Sequence, residues 1–130
     1  MQKLELLAKI EKCNLSFRDT NNILILNIHV EYEEGMCQNI AGLCLDTYDK
    51  NLKDRVGTAY GCEMIRLLLE MFQVDNLSEL NGKYIYVYGE STNGGMLSFK
   101  PEGFRTLKQY GKKDLNFKNV LEKFHPKPEM

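Results

Sequence analysis

From Ile23 to Glu33 apolar and other residues alternate, so that Leu24, Leu26, Ile28, Val30 and Tyr32 share one face of a strand. The stretch before it, Leu6 to Phe17, is strand-like with broken parity: Ala8 and Ile10 hold one phase, and Cys13, Leu15 and Phe17 the other. A bulge near Glu11 or Lys12 reconciles the two phases. Arg18 to Asn22 supplies turn chemistry between these strands. After Glu34-Gly35, Gln38 to Asp46 sets Leu43 and Leu45 against Cys44 and predicts a third antiparallel strand, completing a meander.

The period then changes. Asp46 to Arg55 is polar and charged and reads as a solvated loop, closed by Gly57-Thr58. Thr58 can N-cap a helix in which Cys62, Ile65, Leu68, Leu69 and Phe72 recur every three or four residues as one buried stripe. Asn76 with Glu79 has capping-box spacing for a single short turn, which Asn81-Gly82 ends. Lys83 to Tyr88 alternates again, with Tyr84, Tyr86 and Tyr88 opposite Ile85 and Val87. Ser91 to Gly95 reads as a mobile loop and Met96 to Lys100 as a returning strand. Phe117, Val120, Leu121 and Phe124 define a closing amphipathic helix that Pro126 stops. This order predicts an α+β fold: an antiparallel β-meander, one central amphipathic helix, further strands and a C-terminal helix. One domain over 1–125 with a frayed tail at 126–130 is expected, since 130 residues bury about two-thirds of their open-chain surface without staples.

Charge and composition narrow the function classes. Seventeen Lys+Arg against eighteen Asp+Glu leave −1, so no global field draws nucleic acid or an anionic membrane to the protein, although a local basic site remains open. Lys9, Glu11 and Lys12 interrupt the N-terminus before signal-peptide length, and no apolar run approaches a membrane span. A cytoplasmic protein whose Cys13, Cys37, Cys44 and Cys62 stay thiols is expected. His29 and His125 are the only histidines, and no Cys/His spacing suits zinc, so no metal or other cofactor is expected. His29 could activate Cys44 across the sheet, but an outward strand histidine is more often simply solvated. No enzyme signature emerges.

Two stretches carry candidate binding chemistry. In Arg55-Val56-Gly57-Thr58-Ala59-Tyr60-Gly61, a capped helix start would present first-turn N–H groups beside the Arg55 guanidinium, with small Gly57, Ala59 and Gly61 admitting an anion. The competing reading makes Gly57 a tight turn and Gly61 a packing contact. The tyrosine stripe can stack on a base or line a subunit interface, and Asn93 and Arg105 nearby can meet a base edge and a phosphate. Its competing reading is a half-exposed sheet face partly covered by the last helix.

The block Cys37-Gln38-Asn39-Ile40-Ala41-Gly42-Leu43-Cys44-Leu45-Asp46, then Arg55-Val56-Gly57-Thr58-Ala59-Tyr60-Gly61 and Leu80-Asn81-Gly82-Lys83-Tyr84, resembles a group of small phage and prophage proteins. It departs from their pattern at Asn39, Ala41 and Leu43, where they carry Gly, Gly and Tyr. Within that group it resembles the first family of Thoeris anti-defence proteins, sponges for cyclic ADP-ribose signals. The resemblance implies a non-catalytic, homo-oligomeric nucleotide binder in the infected bacterial cytoplasm, and it adds Gln38, Asn39 and Tyr60 to a ligand set of Arg55, Gly57, Thr58, Ala59, Gly61, Tyr84, Tyr88, Asn93 and Arg105. A protein-binding inhibitor of a defence nuclease, using the tyrosines and Glu31 to Glu34, is the alternative.

Overall fold

The computed structural model describes residues 1–18 and 22–124. The centre of the turn after Arg18, His125 and the 126–130 tail therefore lie outside the described residues. The fold is α+β, with every strand pairing antiparallel. β1 (Gln2–Arg18) pairs with β2 (Ile23–Tyr32) on one side. β3 (Cys37–Asn39) and β4 (Leu43–Cys44) both extend the sheet beyond β2, and β5 (Asp46–Asp49) with β6 (Asp54–Gly57) forms a separate hairpin. After α1 (Ala59–Phe72), β7 (Tyr84–Ser91) pairs with the other side of β1, followed by β8 (Lys100–Thr106) and β9 (Asp114–Asn116). The chain continues into α2 (Phe117–Phe124).

The parity break in β1 is a bulge. Ile10 faces Val30 and Lys12 faces His29, leaving Glu11 as the extra residue. Ala8, Ile10 and Cys13 consequently all reach the core, each at most 3% exposed. Beyond the bulge, Asn81–Lys83 takes over from β7: Ile10 N–H donates to Lys83 O, Gly82 N–H to Ile10 O, and Cys13 N–H to Asn81 Oδ1.

Three expectations need correction. The third strand over Gln38 to Asp46 is broken into β3, β4 and the start of β5, because the Asn39 carboxamide oxygen takes the Ile28 and Ala41 N–H groups and Gly42 turns the chain at φ +56°. The charged stretch to Arg55 is a hairpin, not a loop, whose turn is held by Asp49 Oδ1 accepting from the N–H groups of Asn51 and Leu52. Met96–Ser98 is a short 3-10 turn, and the returning strand comes later, at β8.

Both helices cover one face. Ile85, Val87, Phe104 and Leu115 point from the sheet into a core with Met64, Leu68, Met71 and Phe72 of α1 and Phe117 of α2. The predicted stripes are rotated slightly: Cys62 is exposed while Tyr60 and Met64 are buried, and Leu121 is exposed. The last helix lies against α1, so Tyr84, Tyr86 and Tyr88 stand on the uncovered face. Among the described residues no helix is long and apolar enough to cross a membrane.

Candidate functional site

The start of α1 forms as its sequence predicts, and its own chain fills it. Thr58 Oγ1 accepts from Gly61 N–H at 2.9 Å and donates to Leu45 O at 2.8 Å, while Thr58 N–H donates to the same carbonyl. A Cβ on Gly61 would stand 2.3 Å from Leu45 O, whereas one on Gly57 would meet nothing within 4 Å. Gly61 is therefore a packing glycine that lets the helix meet the β4–β5 junction. Tyr60 is buried in the core and Ala59 is exposed.

Arg55 is on β6 and already holds an anion. Its Nη2 donates to Asp46 Oδ1 at 2.6 Å, and Cys44 Sγ lies 3.7 Å away. Asp46 Oδ2 accepts from Leu24 N–H, so this carboxylate fastens the hairpin to β2. The Arg55 hydrogen bond, reinforced by that N–H, lowers the Asp46 pKa from its ordinary value near 3.8 to about 2, against the opposing effect of burial. A folded-state pKa below the unfolded one means the stabilisation is present above about pH 4 and is lost as pH falls towards 2. Asp46→Asn should remove that component, giving lower stability at neutral pH and a shallower loss between pH 4 and 2 by urea denaturation; an unchanged acid limb would contradict the pairing.

Gln38 and Asn39 also serve the fold. Gln38 Oε1 accepts from the Tyr32 hydroxyl at 2.7 Å and its Nε2 donates to Phe99 O. Asn39 Nδ2 donates to Asn27 Oδ1, inside a polar network with Asn14 and Ser16. Asn93 organises its own loop, its Oδ1 accepting from Gly95 N–H and from the hydroxyls of Ser91 and Ser98. Cys44 stands opposite Ile25, four residues along β2 from His29 or roughly 13 Å, too far for a nucleophile and its base. Among the described residues no group of three or more His, Cys, Asp or Glu is placed to hold a metal.

The uncovered sheet face is different. Cross-strand register aligns Glu31, Lys9 and Tyr84 in one row, Leu7, Tyr86, Arg105 and Asp114 in the next, and Glu5, Tyr88 and Gly103 in a third. Arg105 lies over the Tyr88 ring at 4.2 Å and pairs with Glu5 at 3.0 Å and Asp114 at 3.7 Å. The Tyr88 hydroxyl donates to Asp114 Oδ1 at 2.7 Å; burial, then that carboxylate, raises its pKa to about 12. Tyr84 and Tyr86 remain 46% and 39% exposed. Beside Tyr86, a cleft of about 520 Å³ is bordered by Glu5, Arg105, Leu107, Lys108 and Lys112. By contrast, the groove between α1 and α2, lined by Leu67, Met71 and Val120, has no aromatic ring.

The structure thus brings Tyr88 and Arg105 into contact, sets Tyr84 further along the same face, and leaves Arg55 apart. Arg55 contacts β4, which is four strand spacings from β8, roughly 19 Å. Cys44 aligns through Ile25 with Ser16, and Arg105 through Tyr86 with Leu7, which adds nine residues along β1, or roughly 30 Å. One ligand cannot bridge the two arginines of a single chain. Sequence reasoning offered Tyr86 as part of the tyrosine stripe but passed over Lys108 and Lys112; the only signal for the lysines was the basic run around Tyr110-Gly111. No protein-family model, curated protein or solved structure matches the chain.

Proposed function

We propose that this protein binds and sequesters a small anionic nucleotide signal of the cyclic ADP-ribose type, without catalysis, as a phage-encoded anti-defence protein in the infected bacterial cytoplasm. The observation that carries the reading is the cleft beside Tyr86, where a half-exposed ring borders three cations, Arg105, Lys108 and Lys112. A nucleobase can stack on the phenol while phosphates meet the guanidinium and ammonium groups. Arg105 now holds Glu5 through a bond that is more than a third exposed, so a phosphate can replace that carboxylate at small cost. Arg55 serves the hairpin in this reading and touches no ligand.

Calorimetry with cyclic ADP-ribose isomers, cyclic dinucleotides and ADP-ribose tests it. At least one should bind, and it should be recovered intact when the complex is denatured. Arg105→Ala should weaken binding by roughly one to two orders of magnitude, the value of a charge-assisted hydrogen bond to phosphate. Arg55→Ala should leave affinity unchanged. No heat from any of these ligands would move the protein-binding inhibitor ahead, and product in excess over protein would end the non-catalytic reading.

A further inference from the structure

The end of β1 is paired on one side only. Up to Lys9 the strand lies between β2 and β7, and past that point Asn81–Lys83 takes the bonds of Ile10 and Cys13. From Asn14 to Arg18 the register continues with β2 alone, which leaves about 13 Å of edge without a neighbouring strand. The outer bonds of β2 fix which groups face that edge. Leu24 and Ile28 turn their backbone away from β1: their N–H groups donate to Asp46 Oδ2 and Asn39 Oδ1, and their carbonyls accept from Leu45 and Ile40 N–H. Cys13, opposite Ile28, accordingly sends its N–H outward to Asn81 Oδ1. Leu15, opposite Leu26, and Phe17, opposite Leu24, follow the same alternation and aim their N–H and C=O groups at open solvent. Among the described residues no protein group meets them.

The side chains along this edge divide by face. Leu15 and Phe17 project on the side of Cys13, and they are 41% and 66% exposed. Lys12, Asn14, Ser16 and Arg18 project on the other side, where Asn27 engages Asn14 and Ser16. Lys12 and Arg18 have no ion pair among the described residues. Glu11 sits at the bulge, where Asn81–Lys83 already pairs, outside the open span. We infer that this edge takes an extended segment of a partner protein as an added strand, with apolar residues against Leu15 and Phe17 and acidic residues alternating towards Lys12 and Arg18. Outward N–H and C=O groups two residues apart are matched by the backbone of another strand, and the period of two sets the alternation. Sheets that stay single blunt such an edge with charge or proline at its centre, where this one carries Leu15 and Phe17. A second copy would bring its own Lys12 and Arg18 to the joint sheet, cation beside cation, so the acidic residues must come from another protein. The edge lies beyond the end of β7 and shares no residue with the cleft beside Tyr86, so the inference does not rest on the nucleotide reading.

The probe is a fluorescent peptide of about eight residues that alternates valine with glutamate, and the control alternates valine with lysine. By anisotropy at low salt the glutamate peptide should bind roughly tenfold or more tightly than the lysine one. Amide hydrogen exchange read by NMR should be fast at Leu15 and Phe17 in the protein alone and slowed by the glutamate peptide, while Asn14, bonded to β2, is slow throughout. Phe17→Pro removes an outward N–H and the ring without breaking a bond to β2, and should weaken the glutamate peptide roughly tenfold or more. Leu15→Thr with Phe17→Thr keeps strand propensity and should act alike, with circular dichroism verifying both folds. No binding of the glutamate peptide, equal affinity for both peptides, or binding that leaves the Leu15 and Phe17 amides fast would each overturn the inference. So would slowing of those two amides by raised protein concentration without peptide, which would make a second copy the occupant.

Discussion

Gly61→Ala should destabilise the protein by about 2 kcal/mol or more, despite alanine's better helix propensity. The added methyl would stand 2.3 Å from Leu45 O and 2.9 Å from Leu45 Cβ, and neither is the end of a flexible side chain. The same carbonyl accepts from both Thr58 N–H and Thr58 Oγ1, so moving it away strips the helix cap as well. In urea the midpoint should fall by roughly 1 M at an ordinary denaturant slope. Gly57→Ala is the internal control: a Cβ there meets no heavy atom within 4 Å, and stability should stay within about 0.5 kcal/mol. If Gly61→Ala kept full stability, the helix start would be an open cradle after all, and the packing role of Gly61 would be wrong.

Phe104→Ala should cost about 3–5 kcal/mol, a fall in melting temperature of roughly 10–20 °C. Phe104 is fully buried on β8, with its ring stacked on Phe72 of α1 at 6.2 Å and tilted against Phe117 of α2 at the same centroid distance. It is the point at which both helices meet the sheet, so truncation opens a cavity lined by two rings that no single neighbour can refill. Phe104→Leu keeps most of the volume and should lose substantially less. Thermal denaturation of both variants checks this, and equal losses would show that refilling the volume recovers nothing, against the cavity account. Phe104 also adjoins Arg105 on the opposite face, so Phe104→Leu should leave nucleotide affinity unchanged while the fold holds.

Local chemistry made several elements legible. The Leu24 to Tyr32 alternation, the bulge at Glu11, the Thr58 cap and the Asn76–Glu79 capping box each depend on residues within a few positions of one another, where side-chain period and short-range hydrogen bonding act. The β5–β6 hairpin was not legible because it lies apart from the main sheet and buries little, so its sequence has no apolar alternation to show. β8 was obscured by Pro101 and Gly103, residue types disfavoured inside strands. Gly103 is instead a close contact, since a Cβ there would meet Leu115 O at 2.3 Å and the Tyr88 hydroxyl at 2.7 Å.

The candidate site divides the same way. The sequence alone determined an α+β chain without a strong net charge, a capped helix after Arg55, and a tyrosine stripe at period two. Only the tertiary structure decided that Arg55 is committed to Asp46, that Asn39 and Asn93 stabilise their own loops, and that Arg105 meets Glu5 across a separation of 100 residues. Whether a charged side chain is available to a ligand depends on which opposite charge the strand order places beside it. Strand order arises from long-range pairing that no local period encodes.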